Sequence, residues 1–183
     1  MQRLINEGIT QNFDMKDLQR LVPHGVRVIR YDSLYGVKTL KAAMGRSKAL
    51  LILWNIHDKQ HRLLNTAGHF FVLAVLGGKP FVFSSTGFSP RKELFMSHSD
   101  PGVFDRILPK NVAYNSTRLQ ANRDSNTCWR YCLLFCELVV RGGMDPRVFT
   151  HRISRPLHLH TSDQVITALT FDSLFAPGTS TRK

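Results

Sequence analysis

Cys128, His69 and Gln120 are the residues whose types and settings could together carry nucleophilic chemistry. Cys128 opens a mostly apolar stretch, free of Gly and Pro, that runs to Val140, so a helix predicted there puts the sulfur at its N-terminus. A helix N-terminus offers partial positive charge and unpaired backbone N–H groups, which lower a thiol pKa and stabilise a developing oxyanion. Gln120 begins a polar segment, 120–127, whose Asp, Ser, Asn and Thr suit tight turns and capping. From such a loop a side-chain NH2 can be aimed at the carbonyl that a thiolate attacks. His69 starts an apolar strand, where a rigid backbone would hold the imidazole beside the sulfur as a general base. A lone Cys on an apolar helix is ordinarily a small core residue, and Cys132 and Cys136, one and two turns further on, read that way. The i, i+4, i+8 spacing spreads the three sulfurs over about 12 Å of helix. That is too far for ligands of one tetrahedral ion. His158 and His160 read as a surface pair.

The elements that must position these groups follow from the hydrophobic pattern. Asn12 is a plausible N-cap for a helix whose apolar face is Phe13, Leu18, Leu21 and Val22, ended by Pro23 and Gly25. Residues 26–31 alternate into a short strand, and 32–36 read as a turn. Residues 49–54 form a strand apolar enough to be central, and 55–66 read as a polar loop. Residues 68–76 and 79–83 flank Gly77 and Gly78, the signature of a hairpin. A loop follows at 84–90, a helix begins near Lys92, and 97–109 reads as loop with a break at Pro101 and Gly102. A further strand is placed around Val112 and Tyr114. The stretch 128–140, apolar nearly all round, marks a helix buried in a larger core. A helix over 162–175 completes the order, leaving 176–183 as a flexible basic tail. The pattern predicts an α+β fold with antiparallel strands and a central buried helix.

The bulk properties narrow the class. A chain of 183 residues with 43% hydrophobic residues and 12 Phe can bury a real core. No apolar run reaches the 18 or more residues of a membrane span, and residues 1–14 lack a signal-peptide core. The expectation is a soluble, cytosolically made protein with no membrane partner. Three cysteines at helical spacing are no disulfide framework and fit a reducing compartment. With 25 Lys and Arg against 13 Asp and Glu, the formal net charge is +12. Such an excess favours a polyanion such as DNA; the bland alternative is a generally basic protein, since the charge is dispersed.

Three strings, in order, resemble the adenovirus endopeptidase (adenain) family, whose relatives include SUMO-specific proteases and the maturation proteases of virophages and Polinton-type elements. They are Gly68-His69-Phe70-Phe71-Val72-Leu73-Ala74, Phe83-Ser84-Ser85-Thr86-Gly87-Phe88-Ser89, and Gln120 through Cys128-Trp129-Arg130-Tyr131-Cys132. Asn12, Phe13 and Asp14, with Arg30, Tyr31 and Asp32, also resemble the N-terminal part of the virophage and Polinton enzymes. The resemblance spans roughly residues 10 to 140. It implies a papain-like, adenain-type α+β domain over 1–175, with a mixed, mainly antiparallel sheet packed on the helix that bears the nucleophile. It implies Cys128 as nucleophile, His69 as general base, and Gln120 with the backbone N–H of Cys128 as oxyanion hole. The substrates implied are viral capsid and core precursors cut at small, Gly-containing sites. No cofactor is implied, with DNA or a viral peptide as activators. A monomer acting in the virion, host nucleus or cytoplasmic virus factory is the expectation.

Departures from the family pattern matter for mechanism. Ser84 stands where the acid that orients the histidine is expected. Three readings follow: a Cys–His dyad with Ser84 or Ser85 as orienter, which is preferred; a compensating acid such as Asp100 or Asp105; or a weakened enzyme. Trp129 replaces the usual small residue after the cysteine, Gln120 lies eight residues before Cys128, and Val112 occupies the position at which adenain tethers its activating peptide. The competing functions are a ubiquitin- or SUMO-type isopeptidase and a non-catalytic DNA-binding virion protein of the same fold.

Overall fold

The computed structural model describes residues 15–57, 63–96, 99–100, 102–121, 127–155 and 161–175. The chain order is α1 (Met15–Leu21), β1 (Val26–Arg30), a 3-10 turn (Tyr31–Leu34), α2 (Leu40–Met44), β2 (Ala49–His57), β3 (Leu63–Leu76) and β4 (Lys79–Ser84). There follow α3 (Pro90–Met96), α4 (Gly102–Ile107), β5 (Ala113–Tyr114), α5 (Cys128–Phe135), α6 (Pro146–Ser154) and α7 (Ser162–Phe175). α5 runs directly into a wider π-helical stretch, Cys136–Arg141.

The five strands of the described residues make one sheet in the order β1-β2-β3-β4-β5, so the fold is α+β with a mixed sheet. The predicted antiparallel pairing holds for the inner neighbours, β2 with β3 and β3 with β4. Both edge strands pair in parallel instead, β1 on β2 and β5 on β4. Each edge strand is reached through intervening helices rather than a tight turn, and such connections permit parallel pairing.

Helices cover both faces, which is why the central strands read as continuous apolar runs rather than alternating ones. Ala49, Leu51, Phe70, Val72, Ala74 and Phe83 point to one face, packing with Cys132, Phe135 and Phe149. There Phe135 stacks on Phe83 at 4.3 Å and meets Phe149 edge-on at 5.4 Å. Leu50, Ile52, Trp54, Phe71 and Leu73 point to the other, packing with Tyr31, Leu94 and Phe104. Trp54 stacks on Tyr31 at 5.8 Å and meets Phe71 edge-on at 5.1 Å, within the offset and T-shaped range that rings prefer.

The hairpin at Gly77 and Gly78 is as predicted, both residues having the positive φ (55° and 78°) that a two-residue turn of this hand needs. Other elements differ from expectation. In the segment read as loop over 55–66 the described residues are strand, because β2 continues to His57 and β3 starts at Leu63. The ladder is a backbone property that polar side chains do not interrupt. Gly102, read as part of a break, opens α4 instead, with Asp100 Oδ1 accepting from Gly102 N–H at 2.8 Å and Val103, Phe104 and Ile107 buried beneath; Pro101 lies outside the described residues. α2 and α6 are likewise set by caps: Thr39 Oγ1 accepts from Ala42 N–H, and Asp145 Oδ1 from Arg147 and Val148 N–H. α7 has the predicted bounds. Asn12, Phe13, Asp14, His158 and His160, with the 176–183 tail, lie outside the described residues. Among the described residues no helix is long and apolar enough to cross a membrane.

Candidate active site

β3 presents His69 opposite Trp54 of β2, and α5 begins at Cys128. The His69 imidazole acts directly on the Cys128 thiol, and the backbone N–H groups of Phe70 and Trp129 lie near enough to favour its thiolate. Cys132, one turn on, donates its S–H to the Phe70 carbonyl at 3.3 Å, pinning the helix against β3 next to the histidine. The pairing of Cys128 with His69 is therefore built from adjacent residues of two buried, rigid elements.

Ser84 ends β4, and its Oγ lies 2.9 Å from His69 Nε2. It does not end the chain of contacts. Ser84 O–H donates to Glu93 Oε1 at 2.5 Å, Thr86 O–H donates to the same oxygen, and Glu93 Oε2 stands 3.7 Å from His69 Nε2. Glu93 comes from α3, and its side chain is only 7% exposed, that of His69 18%. Asn115 clamps the backbone of Ser84 from both sides, its Oδ1 accepting from Ser84 N–H at 2.8 Å and its Nδ2 donating to Ser84 C=O at 2.6 Å.

The acids put forward from sequence face elsewhere. Asp105 pairs with Arg91 at 2.5 Å, and Asp100 caps α4 while its carbonyl accepts from the Tyr31 hydroxyl at 2.8 Å. The carboxylate near His69 is Glu93, which sequence reasoning missed. One signal could have found it: between Ser84 and Asp100, Glu93 is the lone acidic residue.

The electrostatics follow from this arrangement. Burial opposes protonation of His69, but the negative charge of Glu93 and the bond and charge of Cys128 outweigh it, lifting the imidazole from 6.5 to about 9. Burial likewise pushes the Cys128 thiol up, yet His69 and the two backbone N–H groups bring it below its ordinary 9.0. Both shifts run toward the thiolate–imidazolium form of the pair.

Gln120 is buried, and its Oε1 accepts from the Ser85 hydroxyl at 2.9 Å. A carboxamide held by its oxygen presents its NH2 end as donor. Leu119 and Gln120 both donate backbone N–H to the Ser85 carbonyl, at 2.8 and 3.0 Å. Ser84 and Ser85 thus divide the work, the first meeting His69 and the second holding Gln120. Gly87 lets this corner close: at φ +72° it lies so near Thr117 that a Cβ would meet the Thr117 carbonyl carbon at 2.5 Å.

The helix start is braced from α7. Buried Asp163 accepts from the Thr127 hydroxyl at 2.8 Å and from the Tyr131 hydroxyl at 3.0 Å, and Arg130 donates to Thr170 at 2.8 Å. Tyr131 also bonds the Leu119 carbonyl at 3.2 Å, tying the Gln120 segment to α5. Trp129 is buried with the Arg130 guanidinium over its ring at 4.3 Å.

No cluster of three or more metal-ligating side chains occurs among the described residues. No family model matches the chain, and no curated protein matches its sequence.

Proposed function

We propose that the chain is a cysteine endopeptidase of the papain-like, adenain type that cuts viral capsid and core precursors at small, Gly-containing sites during virion maturation. The observation that carries this reading is the buried Cys128–His69 pair at a helix N-terminus, with the thiol shifted down and the imidazole up.

In the first step the Cys128 thiolate attacks the scissile carbonyl carbon, and the electron pair moves to oxygen. The backbone N–H of Cys128 and the Gln120 NH2 receive that oxyanion. Collapse breaks the C–N bond, and the His69 imidazolium gives its proton to the leaving amine, leaving a thioester on Cys128. Water then attacks the thioester as His69 takes its proton. The second tetrahedral intermediate collapses to the carboxylic acid product and restores the thiolate–imidazolium pair. No metal or organic cofactor enters these steps. The formal charge of +12 supports association with DNA, as an activator or as a guide within the virion.

The test is intact-mass labelling with a peptide electrophile ending in Gly-Gly, on wild type, Cys128→Ala and His69→Ala, with and without DNA. One adduct in wild type, lost in Cys128→Ala and slowed in His69→Ala, is expected, with faster labelling on DNA. Cleavage of a ubiquitin-family fusion in preference to linear Gly-containing peptides would move the reading to an isopeptidase. A folded protein that forms no adduct, yet binds DNA steeply with salt, would make it a non-catalytic virion protein.

A further inference from the structure

We propose that Glu93 is the displaced acid of this site, acting on His69 through the Ser84 hydroxyl as a positioning residue. The inference rests on the Cys128–His69 reading above and adds a third and fourth member to it.

The geometry assigns the protons. A hydroxyl has one hydrogen, and Ser84 spends it on Glu93 Oε1 at 2.5 Å. The 2.9 Å contact between Ser84 Oγ and His69 Nε2 must then be donated by the imidazole. Nε2 carries hydrogen, which leaves Nδ1 to serve the sulfur. A serine alone can accept from one tautomer or donate to the other, and holds no charge. A serine whose proton is committed to a carboxylate is a one-way acceptor and passes negative charge toward the ring.

Three further features fix the relay. Thr86 donates to the same Glu93 oxygen, so both hydroxyls orient the carboxylate. Asn115 holds the Ser84 backbone by both its N–H and its carbonyl. Glu93 Oε2 lies 3.7 Å from Nε2, close enough to stabilise imidazolium directly as it forms. Among the described residues the ionisable groups bearing on His69 are Glu93 from α3 and Cys128 from α5. An acid moved from the end of β4 to the facing helix thus keeps its charge near the imidazole, with a serine filling the gap.

The experiment uses the full chain and reads Cys128 directly, without substrate. Iodoacetamide alkylation of Cys128 is followed against pH in wild type, Glu93→Gln, Ser84→Ala and the double variant Ser84→Asp/Glu93→Gln. Glu93→Gln is expected to slow alkylation at pH 7 about tenfold and to move its midpoint upward, toward an ordinary thiol. On a cleavable peptide it should lower kcat by about 10²- to 10⁴-fold with KM unchanged. The double variant, which returns a carboxylate to the end of β4, is expected to recover the wild-type midpoint. A folded Glu93→Gln with the wild-type alkylation profile overturns the relay, as does a double variant no better than Glu93→Gln. NMR titration of the His69 ring in wild type needs no variant; a midpoint below 6.5 would likewise reject the role. Because alkylation needs no peptide, a wild type that cuts no substrate would sink the protease reading and leave this test readable.

Discussion

Cys128, Cys132 and Cys136 follow one another at one-turn intervals, all buried, the first two in α5 and the third where the helix widens. Burial sets the chemistry of the second and third. It pushes the Cys132 thiol up, helped by the charges of Cys128, Cys136 and Glu93, and pushes Cys136 up, helped by Glu137. At Cys128 the same burial is overcome by an imidazole across from it and by two backbone N–H groups. Residue type and depth are alike in the first and later turns; what differs is the partner. What shifts a buried thiol downward is what the opposing element presents, here β3 with His69 rather than β3 with a carbonyl.

The widest way to break the comparison is to remove the sulfur itself. Cys128→Ala should abolish neutral-pH alkylation and lower peptide hydrolysis by on the order of 10⁶, as loss of a nucleophile does. Cys132→Ala and Cys136→Ala should label like wild type, as intact mass after iodoacetamide will read. Next comes Gln120→Ala, expected to cost about 10²- to 10³-fold in kcat, the usual effect of losing one oxyanion donor. Its alkylation profile should be unchanged, which separates oxyanion binding from thiol activation.

Removing the partner should make the first turn resemble the second. In His69→Ala the alkylation midpoint is expected to rise, with at least about tenfold less thiolate at pH 7. The same imidazole gives a signed effect on stability. Its folded pKa of about 9 lies above the unfolded 6.5, so its contribution is full below 6.5 and lost as pH rises through 9. Thermal melts of wild type and His69→Ala across that window should therefore draw together on the alkaline side as the His69 share disappears. The smallest effect sharpens the helix end alone: Asp163→Asn weakens the acceptor for Thr127 and Tyr131 and should cost about 1–3 kcal/mol in denaturant unfolding.

His69, Cys128 and Gln120 stand out in sequence as candidates because each is a polar or reactive group set at the border of a strong local pattern. The hairpin and α7 are legible for the same reason: Gly77 with Gly78 and the 162–175 stretch are local signals. Glu93 is not, since its meaning depends on α3 folding back over Ser84 around Gly87, a non-local event. Asp163 reads as an ordinary first-turn acid, and only the packing of α7 on α5 makes it an acceptor for Thr127. The short helices α2, α4 and α6 are defined by caps more than by apolar period, so a search for periodicity passes over them. The parallel edge strands are set by how helices return the chain, which strand composition does not encode.

The brace from Asp163 also has a consequence for the order of events during synthesis. Thr127 and Cys128 leave the ribosome well before the acceptor that steadies them, 36 residues later in the chain. Until α7 emerges and docks, the helix start lacks its Asp163 contact and the Leu119 carbonyl lacks the Ser162 hydroxyl. The start of the helix that bears Cys128 is therefore braced only once α7 has been made, and until then a nascent chain carries that cysteine in an unbraced setting.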